Sequence, residues 1–133
     1  MSDVLIRQAL EVRLAAMMPV LETAFENREF KPTPGVPYQR VEIVRAQPEN
    51  PTFDSFKRML GFMQVTMMYP PNKGPGVAEA RAQALSDHFP RKLNLTAGSV
   101  IVTISATAQI MGGFQDEDRW AVPVRVPYYA NLT

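Results

Sequence analysis

The spacing of apolar residues along the chain changes period several times, and each change predicts an element. Val4, Leu5, Ala9, Val12 and Ala16 recur at three- and four-residue steps, which predicts a first helix with that apolar face, capped by Ser2 or Asp3. Pro19 cannot donate to a helix, so this one is expected to end or bend near Met17. "VLETAFENREFKPTPGVPY" is mixed in character and broken by prolines; a short irregular or helical turn and then an extended connection are expected. "YQRVEIVRA" alternates, with Val41 and Ile43 opposite Arg40, Glu42 and Val44, and reads as a strand. "QPENPTFDSFKRML" reads as a loop. "GFMQVTMMY" alternates again, and neither parity is strongly charged, so this strand is expected to be covered on both faces or to lie in an interface. Ala78, Ala82, Leu85 and Phe89 form a second helical stripe that Pro90 stops. "SVIVTISATAQI" and "RWAVPVRVPYY" are the two clearest strands, separated by the hairpin-like "MGGFQDED".

The expected fold is therefore α+β, a single domain over residues 1–133. Its four-stranded mixed or antiparallel sheet carries two main helices on one face, in the order α-β-β-α-β-β. Pro123 and Pro127 share parity, so both missing N–H groups fall on one edge of the final strand. That places this strand at the rim of the sheet, either protected against aggregation or built into an interface.

Composition narrows the chemistry. The 133 residues hold 14 basic and 13 acidic side chains, a net charge of +1 with no footprint for nucleic acid or anionic membrane. No cysteine is present, which removes disulfides, thiol nucleophiles and zinc–thiolate sites. The N-terminus carries charges within its apolar pattern, and no apolar run approaches the ~18 residues of a membrane span, so a cytoplasmic protein is expected. The 12 prolines cluster between elements and stiffen the connections.

"MMYPPNKGPGVAEARAQAL" has the strand, glycine loop and helix of a nucleotide site but not its spacing. Lys73 precedes Gly74, Gly76 is followed by Val77 and Ala78, and the third glycine of a dinucleotide fingerprint would fall at Glu79. This loop is expected to turn the chain, with Gly76 needed for the turn, and no nucleotide or other cofactor is expected. Ser86-Asp87-His88 are adjacent on a helix and cannot align as a relay. With one histidine, a metal site using two imidazoles is impossible; His88 is expected to stabilise a helix C-terminus. Asp116-Glu117-Asp118 could meet a hard cation, but a solvated hairpin tip is the favoured reading. The methionines fit either an adaptable core or a partner surface. Trp120, beside Arg119, either anchors an interface or covers the end of the core. No catalytic or metal-ligating residue is assigned.

In order, "FENREFKPTPGVPY", "GFMQVTMMYPPNKGPGVAEARAQALSDHF" and "RWAVPVRVPYY" resemble the tail terminator-like family of long-tailed bacteriophages and prophages. The family's Asn-x-x-Phe-x-Pro segment is matched by Asn27, Phe30 and Pro32, and the aromatic opening its first strand by Tyr38. Gly61, Gln64 and Val65 match its Gly-x-x-Gln-Val strand. Its Tyr-Pro loop, Gly-x-Gly and alanine-rich helix ending in Phe are matched by Tyr69, Pro70, Gly74, Gly76 and Phe89, and its Pro-Val strand by Pro123 and Val124. The resemblance implies a non-enzymatic virion protein of the tail or neck, assembled in the bacterial host cytoplasm. It would form a homo-oligomer, a hexameric ring on the tail tube protein, monomeric when free. The ring would stop tube polymerisation and offer a surface to the head completion or connector protein. DNA would only pass through its lumen, and no membrane is involved. Another neck or head–tail joining protein is the nearest alternative; a small-molecule-binding α/β domain is a distant one. The candidate interface residues are Asn27, Phe30, Pro32, Tyr38, Gly74, Gly76, Arg119, Trp120, Pro123 and Pro127.

Overall fold

A computed structural model describes residues 2–50, 57–72 and 74–132, with the side chains of Ser2 and Asp3 outside the description. The cap expected at those two residues, and the central part of the loop expected at 47–60, lie outside the described residues. In chain order the elements are α1 (Ser2–Ala15), β1 (Glu22–Ala24), β2 (Tyr38–Arg45), β3 (Lys57–Tyr69), α2 (Gly76–His88), β4 (Asn94–Ala97), β5 (Val100–Ile104), β6 (Gln109–Ile110), β7 (Phe114–Asp116) and β8 (Arg119–Leu132). The four-stranded sheet expected from the pattern is thus corrected to an eight-stranded one, in the order β1-β2-β3-β8-β5-β4, with β6 and β7 also paired to β8. β1 runs parallel to β2 inside the stretch read as irregular, and β3 begins at Lys57 inside the stretch read as a loop.

The final strand is not at the rim. β8 pairs with β3 from Trp120↔Tyr69 to Leu132↔Lys57, making these two the centre of the sheet. A residue's N–H and C=O in an antiparallel strand point to the same neighbour. The carbonyl of Pro127 accepts from the Ser105 N–H, and that of Pro123 from the Met111 N–H, so the missing donors face the β5–β6–β7 side. There the partner is in three pieces. β5 pairs with β8 only as far as Ile104↔Tyr128, β6 at Gln109↔Arg125 and Ile110↔Val124, and β7 from Phe114↔Ala121. Each proline sits at a break between pieces. Both lost donors do fall on one side, as parity requires, but a partner strand that leaves the ladder at each proline accommodates them without an edge.

Both helices cover one face. Ile6, Leu10 and Leu14 of α1 and Ala78, Ala82, Leu85 and Phe89 of α2 join Val41, Ile43, Met63, Val65, Met67, Val122, Val124 and Val126 in one buried cluster. Each fully buried side chain of this size contributes about 1.5–3 kcal/mol. The α2 stripe is the one its periodicity predicts. The α1 stripe is not: Ala9 is buried, but Val4 and Val12 are 61% and 62% exposed, and Ile6, Leu10 and Leu14 face the sheet instead. Both stripes have helical spacing, and packing against β4 and β5 selects the larger side chains.

Two local features hold this frame. The Arg13 guanidinium donates to the His88 carbonyl (3.1 and 2.9 Å), and His88 Nε2 lies 2.7 Å from the Arg13 carbonyl. The reciprocal latch ties the C-terminal turns of the two helices, where carbonyls lack intrahelical partners. Gly61 is required by close approach, since a Cβ there would collide with the Val44 carbonyl and the Tyr128 hydroxyl.

Candidate assembly surface

The opposite face of the sheet has no helix over it. Arg40, Gln64, Arg125, Phe62, Tyr129 and Arg58 lie on it, held in pairs. Arg125 donates to Gln64 Oε1 (3.0 Å) and lies 4.8 Å from the centre of the Phe62 ring. Arg58 donates to Asn131 Oδ1 (2.9 Å) and stacks on Tyr129, and Arg40 is 3.5 Å from the Asp116 carboxylate. Such stacked guanidinium groups are ordered without being buried.

Most of the sequence-predicted interface residues meet at one end of the sheet. Register puts Tyr38, Met68 and Ala121 in one row and Tyr69 beside Trp120 in the next. There Arg119, 5% exposed, donates to the carbonyls of Val36 and Thr33 (2.8 Å for the latter) and lies 5.0 Å from the Tyr38 ring centre. Phe30 also packs on Tyr38, with ring centres 5.1 Å apart. Arg119 therefore fixes the proline loop 32–37, which includes the exposed Pro32, against the end of the sheet. Gly74 joins this end through a cavity of about 260 Å³ lined by Pro71, Asn72, Gly74, Pro75, Gln115 and Trp120. Trp120 is half-buried against the main core, and its Nε1 is buried without a partner.

Other candidates lie elsewhere or play different parts. Asn27 is exposed beside α1, with Arg7, Glu11 and Glu26. Pro123 and Pro127 lie farther along β8, opposite the two breaks between its partner strands β5, β6 and β7. Gly76 opens α2 with free space around it and is not the residue that makes the turn; Gly74, at φ +73, carries that geometry. Lys73 is outside the described residues. The 116–118 segment forms a hairpin tip, with Glu117 at φ 54 and Asp116 facing Arg40. Among the described residues no three or more Asp, Glu, His or Cys side chains gather as a metal site, and no helix is long and apolar enough to cross a membrane.

Two features escaped sequence reasoning. Glu26 accepts the Ile43 N–H (2.8 Å) and pairs with Arg7 (2.9 Å), filling the edge of β2 beyond β1. Burial works against its charge, but the Ile43 N–H and Arg7 outweigh it and hold the carboxyl below the usual glutamate range. Arg81, 7% exposed on α2, donates only to the Pro19 carbonyl (2.6 Å); burial pulls its pKa down and pushes that of neighbouring Tyr69 up. Neither partner pair is close in sequence, so no local signal could have found them.

Comparison with known proteins decides what this arrangement belongs to. A family profile described as phage tail terminator protein matches residues 5–128. The chain belongs to the phage tail terminator family. It is thus a structural protein of the phage tail, as the resemblance implied. A solved structure with 26% sequence identity superposes at a TM-score of 0.81, over 100% of this terminator chain and 98% of its own. No curated protein gives a significant match.

Proposed function

We propose that this terminator-family protein acts as a ring on the end of the tail tube, closing it to further subunits and presenting a surface for head joining. The observation that carries the reading is the match to the family over nearly the whole chain. The physical support is the uncovered sheet face and the end at Tyr38, Arg119 and Trp120. On that face Arg58, Phe62, Arg125 and Tyr129 stand partly open to solvent, while at its end the buried Tyr38 and Arg119 hold the exposed 32–37 loop; aromatic and arginine side chains are enriched at protein interfaces.

Ring closure follows from head-to-tail contacts when the rotation per step divides a full turn, about 60° for six copies. The loop at 32–37 is held by Arg119 before any partner arrives, so little conformational freedom is lost on docking. A near-neutral chain suits a lumen through which DNA passes without being gripped. Assembly takes place in the host cytoplasm, and the finished ring resides at the tail–neck junction.

Negative-stain microscopy of purified protein mixed with tail tubes tests this reading. Sixfold caps at one tube end, with no further tube growth after capping, are expected. Tubes that keep growing with bare ends overturn it.

A further inference from the structure

The stripe of α1 that faces away from the sheet carries Val4, Val12 and Ala16 with Gln8 between the valines, and nothing among the described residues covers it. Val4 and Val12 are 61% and 62% exposed, and just beyond the helix Met18 and Val20 are 76% and 66% exposed. Val12 and Ala16 form one wall of a groove of about 320 Å³, whose other wall is Leu95, Thr96 and Ala97 of β4, the outermost strand. Among the described residues no acidic side chain lines it. Arg13, anchored on the His88 carbonyl, also lines it, and the exposed Arg91 and Lys92 follow three and four residues after His88, lead into β4 and make no ion pair among the described residues.

The same chain carries an exposed segment of opposite charge. The β7–β8 hairpin ends in Asp116-Glu117-Asp118, and the carboxylates of Glu117 and Asp118 make no ion pair among the described residues. Phe114 on the same hairpin is 47% exposed. The two features cannot meet within one molecule. Leu95 is level with Val102, which pairs with Ala130, whereas the hairpin closes at Asp116↔Arg119. From residue 119 to residue 130 is 130 − 119 = 11 steps of β8, about 36 Å at roughly 3.3 Å per residue.

We propose that the β7–β8 hairpin of one copy docks into the α1–β4 groove of the next, with Phe114 against Val12 and Leu95 and the acidic tip against Arg91 and Lys92. The occupant is a second copy of this chain because both halves of the contact, apolar and charged, are present on every copy at places that cannot self-satisfy. Two non-equivalent patches joined in this way make a head-to-tail contact, which can close into a ring. The inference rests on the ring reading above and adds which surfaces form the subunit contact.

Charge reversal tests it, with self-association followed by sedimentation in free solution and by crosslinking on purified tail tubes. Glu117→Lys with Asp118→Lys in one chain, and Arg91→Glu with Lys92→Glu in another, are each expected to weaken self-association at least tenfold. Mixing the two is expected to restore it, because only unlike subunits then present opposite charges. Val12→Glu is expected to abolish association while the circular dichroism and melting temperature stay those of the wild type. Unchanged association of all three variants, with wild-type rings intact, overturns the proposed contact and leaves the ring reading standing. Hairpin variants that lose only tube binding and keep self-association make the tube protein the occupant, and also overturn it. A wild-type protein that associates in neither setting overturns both.

Discussion

The two faces of the sheet differ in what they ask of their side chains. Under the helices, Met63, Val65, Met67, Val122, Val124 and Val126 are completely buried with aliphatic and alanine neighbours. On the other face the same two strands carry Arg58, Phe62, Gln64, Arg125 and Tyr129, Arg125 paired with Gln64 and Phe62 and Arg58 with Tyr129, all partly open to solvent. Alternating residues of β3 and β8 thus sit in two environments, one side packed under the helices and fixing the fold, the other open and, in the function proposed above, the side that meets partners. Substitutions on the covered face should therefore act on stability, and those on the open face on assembly.

The largest expected effect is on the covered face. Phe89→Ala removes a fully buried ring between α2 and the sheet, with an expected loss of about 3–5 kcal/mol in denaturant unfolding. Gly61→Ala follows, at about 1–3 kcal/mol, because its Cβ has no room beside Val44 and Tyr128; the same measurement checks it. Arg13→Ala, which opens the latch between the helices, should cost about 1–2 kcal/mol and leave the sheet intact by circular dichroism.

The open face should respond differently. Arg125→Ala is expected to change stability by less than about 1 kcal/mol, since its partners Gln64 and Phe62 remain accessible to water, while reducing tube capping in an end-binding assay. A stability loss comparable to Phe89→Ala would erase the distinction between the faces. The smallest effect is that of Glu26. Its folded-state pKa lies below the ordinary value, so its contribution is present at neutral pH and disappears as pH falls through the acid range. Half-exposure limits it to about 0.5 kcal/mol. The stability difference between wild type and Glu26→Gln should accordingly shrink on acidification.

How far the sequence could be read depended on whether the deciding interaction was local. The stripe Ala78-Ala82-Leu85-Phe89 and the alternation of β2 were legible, because each pattern admits one buried face. The first helix offers two apolar stripes, and only contact with β4 and β5 chooses between them. The short β1 has three residues, too few for a period to show. Pro123 and Pro127 point to a lost pairing side correctly, but nothing near them in sequence reveals that the partner strand breaks opposite each one. At the candidate surface, residue type alone singled out Tyr38, Arg119 and Trp120, but not that Tyr38 and Arg119 are buried and hold the 32–37 loop from inside. The groove beside α1 was not legible, since it exists only once the wrong stripe is known to be outside.

The central claim is that this chain works by ending tail growth, and tail length measures that directly. Electron micrographs of particles made by a phage lacking this gene product should show overlong tubes without heads, with length control restored by the supplied wild-type protein. Tails of normal length, merely detached from heads, would contradict the account and point to a joining role.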